Sequence, residues 1–196
     1  MNKRILVITV ALVLMLTLII PVQLQAKSVT SPSSHPQQFT ADGQIGIISG
    51  GSYGPARQFG PLMYQHQEGE LVDGYIENSN WSDLNGAEIS ILHSADSIFN
   101  LKAGTFVATA NGTITIKLAD GGVLSGNYQA FIYGKFVVDG DGSFYYTVVN
   151  DIAKWDLGDL AQGNAFATLY LGTFDSPTYG PIQTYTGNLS MSGTHK

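Results

Sequence analysis

The clearest patterning lies in the second half of the chain. Residues 113–118 alternate strictly, with Ile114, Ile116 and Leu118 on one face and Thr113, Thr115 and Lys117 on the other. That period of two is the signature of a half-buried strand. Asp120-Gly121-Gly122 follows, a run of residues suited to a tight turn. Residues 129–138 (QAFIYGKFVV) and 143–150 (SFYYTVVN) read as two further strands joined by Asp139-Gly140-Asp141-Gly142. Residues 164–174 and 183–192 read as two more, and 70–77 and 87–92 as earlier ones. Two short helical segments are expected. One spans 94–104, with Ser94 as N-cap and Gly104 just past its end; the other lies within 151–162, weakened by Gly158. Many strands, glycine turns and little helical periodicity predict an all-β fold, a mainly antiparallel barrel or a two-sheet sandwich.

The 129–150 hairpin is apolar on both faces. Phe131, Tyr133 and Val137 oppose Ile132, Phe136 and Val138, and the second strand repeats this with Phe144, Tyr146 and Val148 against Tyr145 and Val149. A surface hairpin ordinarily has one polar face. A covering helix or N-terminal segment accounts for the second face, and so does a subunit interface. A lipid-facing strand does not, because a membrane barrel alternates apolar with polar positions.

The first 26 residues stand apart. Lys3 and Arg4 precede an apolar run over 5–20 interrupted only by Thr9 and Thr17; Pro21 ends it and Ala26 precedes a cut. This is the layout of a signal peptide. Retention as an anchor is the alternative, since the run with Val22 approaches the shortest membrane-spanning length. Either reading implies export, to a secreted or extracellular location. Residues 27–40, rich in Ser, Pro and Gln, are expected to be a flexible linker, leaving 41–196 as a single β domain whose start, 41–67, is glycine-rich and irregular.

Composition narrows the function. Aromatics make up 11% and charged residues only 12% of the chain, against a usual ~25% charged. This is too apolar for a disordered chain. Nine Lys and Arg against fifteen Asp and Glu argue against phosphate neutralisation, hence against nucleic acid as a partner. With no cysteine, disulfides, zinc-thiolate sites and thiol nucleophiles are ruled out.

Candidate chemistry is sparse. Asp139-Gly140-Asp141-Gly142 has two acids of a calcium loop but lacks the later ligands, so a hairpin turn is expected. His35, His66, His93 and His195 form no His-x-x-x-His pair, and no metal or cofactor is expected. Neither a Gly-x-Ser-x-Gly elbow nor a phosphate loop occurs. Asp151, Asp156 and Asp159 flank Trp155, while Glu68, Glu70 and Asp73 neighbour Tyr64 and Tyr75. Paired carboxylates beside aromatics suit a glycosidase, but loop acids in an acidic exported protein are ordinarily solvated, and no catalytic residue is assigned. Asn80-Trp81-Ser82, Asn111-Gly112-Thr113 and Asn188-Leu189-Ser190 match the glycosylation triplet, which carries weight only in a glycosylating export pathway.

The expectation is therefore an exported non-enzymatic β module. It would act by binding or assembly on a carbohydrate, a protein surface or a second copy of itself, with no membrane partner beyond the leader. Trp155, Trp81, Tyr145 and Phe136 are its expected binding residues, because rigid aromatics bury area at small entropic cost. The alternative is a small-ligand barrel, either a carrier of apolar ligands or an enzyme using Asp and Tyr groups within its cavity.

Overall fold

A computed structural model describes residues 35–140 and 142–196. The expected leader, most of the expected linker and Asp141 lie outside these residues. Ten strands follow one another: β1 (Gln37–Ser49), β2 (Ser52–Tyr53), β3 (Arg57–Phe59), β4 (Leu62–Ser79), β5 (Glu88–Asn100), β6 (Thr105–Lys117), β7 (Val123–Val138), β8 (Phe144–Asp156), β9 (Ala161–Ser176) and β10 (Gly180–His195). All pairings are antiparallel, and β1 bonds to β10 on one side and β4 on the other. The sheet therefore closes into an eight-stranded barrel, and the sandwich alternative falls away. β2 and β3 pair with the first half of β4, beyond the stretch that pairs with β1.

Several sequence expectations are corrected. The segment read as a helix over 94–104 belongs largely to β5, where Ala95 and Phe99 are buried between more accessible neighbours. The one expected over 151–162 is the end of β8, a turn and the start of β9. The first misreading rests on capping residues, which mark turns as readily as helix ends. The barrel also begins earlier than 41: Gln37 to Thr40 already pair with β10, and Phe39 is almost fully buried. One buried aromatic and a row of ladder bonds hold this stretch despite its polar composition.

Alternate residues of each barrel strand face inward and form one buried, mainly apolar cluster. One end is closed by a 3-10 turn, Ser82–Leu84, with Leu84 and Ala87 fully buried beneath it. Beside this turn Trp81 stacks on His195 at 4.4 Å and meets Phe39 edge-on at 5.3 Å. The other end carries an aromatic cluster in which Phe99 packs on Phe106, Phe136 and Phe144.

The tip of the β9–β10 hairpin folds onto the outside of β1 and β4. Phe174 is fully buried there, stacked on Tyr75 and seated against Gly46. Ser176 Oγ donates to the buried Asp73 Oδ2 at 2.5 Å.

In the β7–β8 hairpin a register shift leaves Thr147 unpaired, so that Tyr146 and Val149 share a face despite their odd spacing. Ile132, Phe136 and Val149 enter the core, while Phe131, Val137 and Tyr145 remain exposed. Among the described residues no helix covers this outer face.

Candidate functional site

Midway along the barrel four polar side chains interrupt the apolar lining: Glu70 of β4, His93 of β5, Tyr128 of β7 and Asp151 of β8. Each lies in phase with inward apolar neighbours. Glu70 is followed by Val72 and Ile76, and His93 stands between Ile91 and Ala95. Tyr128 precedes Ala130 and Ile132, and Asp151 lies between Val149 and Ala153. Strand periodicity therefore commits them to the interior.

A bulge brings Glu70 into position. Gln67 pairs with Ala95 and Glu70 with His93, so Glu68 and Gly69 together oppose Ser94. Gly69 has a φ of 74°, open to glycine at no steric cost. The extra residue turns Gln67 and Glu70 to one side, and Gln67 Nε2 donates to Glu70 Oε2. Gly112 is the second enabling residue. It pairs with both His93 and Tyr128, and a Cβ there would lie 2.1 Å from the Leu92 carbonyl and 2.7 Å from His93 Cβ. Without that methyl the imidazole and phenol rings stack across it at 5.7 Å. A row of register partners, Ala95, Ala110, Ala130, Ala153 and Ala165, crosses five adjacent strands. These short side chains leave interior space to the longer polar ones.

His93 Nε2 stands 3.1 Å from Glu70 Oε1, with the imidazole side chain 2% exposed and the carboxylate 13%. The contact has ion-pair distance but not hydrogen-bond alignment, and His93 Nδ1 also has no hydrogen-bond partner among the protein's own groups. Tyr128 donates its O–H to Asp151 Oδ2 at 2.5 Å, while Asp151 Oδ1 is buried without a donor. Burial holds the Asp151 carboxyl above the ordinary carboxylate range. The Tyr128 hydrogen bond and His93 pull it down, and Glu70 pushes it up. Burial likewise raises the Tyr128 phenol well above its usual value, with Asp151 and Glu70 adding to the effect. A carboxyl with raised pKa beside an imidazole–carboxylate pair is a proton donor and acceptor set.

Two further phenols feel the charge of Glu70. Its charge helps raise the Tyr53 and Tyr146 phenols, after burial, which is the larger cause. Tyr146 packs on Phe106 at 4.9 Å and edge-on against Tyr185 at 5.6 Å, and its backbone N–H donates to the Tyr185 oxygen at 3.0 Å. Gln67 Nε2 also donates to the Gly50 carbonyl at 2.7 Å and meets the Tyr53 oxygen at 3.3 Å. The segment leading into β2 is thereby tied to Glu70 through one amide.

The four aromatic residues expected to bind do not converge. Trp155 is 2% exposed and packs on Phe39, and Phe136 is 3% exposed in the aromatic cluster. Both are core residues and neither presents its ring on the outer face. Trp81 is half-buried in its stack on His195, and Tyr145 is exposed on the outer face. Trp155 pairs with Tyr128 and Tyr146 pairs with Phe136, so these sites are separated by eight residues of β7, roughly 26 Å at strand rise.

Each acidic group supplies one member of the interior cluster: Asp151 from the first and Glu70 from the second. Asp156 is exposed and accepts from the Gly158 N–H at 2.8 Å, Glu68 is exposed, and Asp73 lies under the β9–β10 tip. Exposed His66 contacts Asp96 at 2.8 Å. Asp139 accepts from Gly142 N–H and donates its own N–H to the Ser143 carbonyl, closing the β7–β8 turn. Among the described residues no three His, Asp or Glu side chains are placed to hold a metal ion. Sequence reasoning missed Tyr128 altogether and left His93 between an expected strand, 87–92, and an expected helix, 94–104. The signal was their phase: each is polar at a position where alternation requires an inward side chain.

In comparisons with known proteins, no family model, no curated protein and no solved structure matches this chain.

Proposed function

We propose that this chain is an exported small-ligand barrel whose interior Glu70–His93 and Tyr128–Asp151 pairs bind a small molecule and exchange a proton with it. The supporting observation is the buried polar cluster with its unpaired Asp151 Oδ1 and His93 Nδ1. Each buried unsatisfied polar group costs about 1–3 kcal/mol. A barrel that served only as a scaffold would be more stable with apolar residues at these inward positions. The aromatic end beside Tyr146 and Tyr185 supplies the apolar contact that small-molecule sites use. Glu70, whose side chain is 13% exposed beside His93, is where a ligand would first meet the polar groups.

The test is a fragment screen by backbone-amide NMR on the protein. Hits are expected to shift residues around Glu70, His93, Tyr128 and Asp151, and to lose those shifts in the Asp151→Asn, His93→Gln double variant. Hits confined to the outer face around Phe131, Ile152 and Phe166 would overturn the reading in favour of a surface-binding module.

A further inference from the structure

The outside of the barrel wall carries two rows of polar side chains on the same strands. Register sets Asn127, Asp156, Gln162 and Thr194 side by side in the first row, and Gln129, Lys154, Asn164 and Ser192 in the second. Between the rows lie Tyr128 and Trp155, whose rings turn into the core, and the paired Gly163 and Gly193. The rows flank a groove of about 590 Å³, with walls roughly 7 Å apart and a run of roughly 14 Å from β7 to β10. A hollow of about 450 Å³ continues it past Ser192 and Thr194 to Gln38 and Thr40 on β1. Beyond the second row another hollow, about 400 Å³, separates Gln129 and Lys154 from the exposed Phe131 and Ile152. Phe166 extends that apolar row by register.

The chemistry of the groove is neutral and rich in amides. A side-chain amide donates and accepts from one planar group, and a sugar hydroxyl likewise does both. Among the described residues the amides of Asn127, Gln129, Gln162 and Asn164 have no hydrogen-bond partner within the chain. Lys154 and Asp156 are the only charged side chains lining the groove, and their signs are opposite, so a polyanion or polycation meets no charge cluster here. β7, β8, β9 and β10 are each paired on both edges, so a peptide cannot be held by added ladder bonds. Recognition therefore falls to side chains that suit hydroxyls, beside an apolar row that suits the C–H face of a ring.

We propose that this groove binds a neutral linear oligosaccharide, its hydroxyls held by Asn127, Gln129, Gln162 and Asn164, with a neighbouring sugar ring packed on Phe131 and Ile152 beyond Gln129. The site lies outside the wall and does not depend on the interior cluster.

The experiment is calorimetric titration of the protein with neutral hexasaccharides (cellohexaose, xylohexaose, mannohexaose and maltohexaose) and two charged ones, hexagalacturonate and the glucosamine hexamer. A neutral probe is expected to bind, and more tightly than either charged probe. Gln129→Ala combined with Asn164→Ala should weaken it about tenfold, the loss of two ordinary hydrogen bonds. The melting temperature should hold, because both side chains are exposed; Gln162→Ala serves if the pair disturbs the fold. Phe131→Ala should weaken binding by a smaller factor, and Asn188→Ala, an exposed amide of β10 outside the groove, should leave it unchanged. Failure of all four neutral probes overturns the proposal, as does binding that survives the double variant or tighter binding of a charged probe. Backbone-amide shifts at His93 and Tyr128 instead of Gln129 and Lys154 would move the sugar to the interior, overturning this site while supporting the ligand barrel. Binding in the groove with no ligand found for the interior leaves this site standing without the proton-exchanging barrel.

Discussion

Tyr128 on β7 donates its phenolic proton to Asp151 on the adjacent β8 at 2.5 Å, on the inner face of the barrel wall. The bond joins two groups whose protonation burial favours. For Asp151 the consequence has a definite sign. Its folded pKa lies above the ordinary 3.8, so the folded state holds the proton more tightly than the unfolded chain. Stability is then greatest below that ordinary value and falls as pH rises through the folded pKa. Asp151→Asn removes the ionisation and keeps an acceptor for Tyr128. Its melting temperature relative to the parent protein should therefore rise between about pH 4 and the folded pKa and level off above it. A difference that stays flat or falls over that range, followed by circular dichroism, would contradict the assignment.

Alkaline titration reads the phenols of Tyr128 and Tyr146. Both are held above their ordinary value of 10.0, chiefly by burial. The folded state resists their ionisation, so their contribution to stability declines as pH rises above 10. Absorbance at 295 nm should show these two among the ten tyrosines ionising only as far-ultraviolet dichroism is lost, and Tyr128→Phe should remove one from that late phase. Reversible ionisation of every tyrosine without unfolding is the contrary result.

The contrast between Phe136 and Phe131 tests which hairpin face is core. Phe136 is 3% exposed and Phe131 46%. Phe136→Ser should cost about 3–5 kcal/mol or more, since it empties a core site and buries a hydroxyl. Phe131→Ser should change stability by no more than about 0.5 kcal/mol, as expected of a surface position. Urea unfolding midpoints of the two variants decide it.

Gly46 and Phe174 provide a double-mutant cycle. A Cβ at Gly46 would lie 2.5 Å from Phe174 Cδ1, so Gly46→Ala should displace the ring and loosen the β9–β10 tip. Phe174→Ala should cost about 3 kcal/mol. In the Phe174→Ala background Gly46→Ala should cost much less than it does alone, because the clash has been removed. Additive effects in urea melts would show that the two residues do not meet.

Trp155 can be followed by its own emission. With Trp81→Phe leaving it as the single tryptophan, its 2% exposure predicts blue-shifted fluorescence and weak quenching by acrylamide. Efficient quenching would restore it to the surface.

The alternation of residues 113–118, the glycine-bearing turns and the scarcity of helical periodicity were enough to determine an all-β antiparallel fold, because period two is a local property of the backbone. The same alternation, carried through β5 and β8, would have placed His93 and Asp151 inside. Ser94 read as an N-cap, with Gly104 past the end, diverted the reading of β5 toward helix. Closure of the barrel was a different matter. It depends on β1 bonding to both β4 and β10, a pairing of residues near 40 with residues near 190 that no local pattern encodes. The burial of Trp155 and Phe136 depends on that closure as well, since a strand has two apolar faces until the curvature of the sheet decides which one is enclosed. So does the site: Glu70, His93, Tyr128 and Asp151 come from four strands, and only the closed wall, with a bulge at Gly69 and no side chain at Gly112, turns them toward one another.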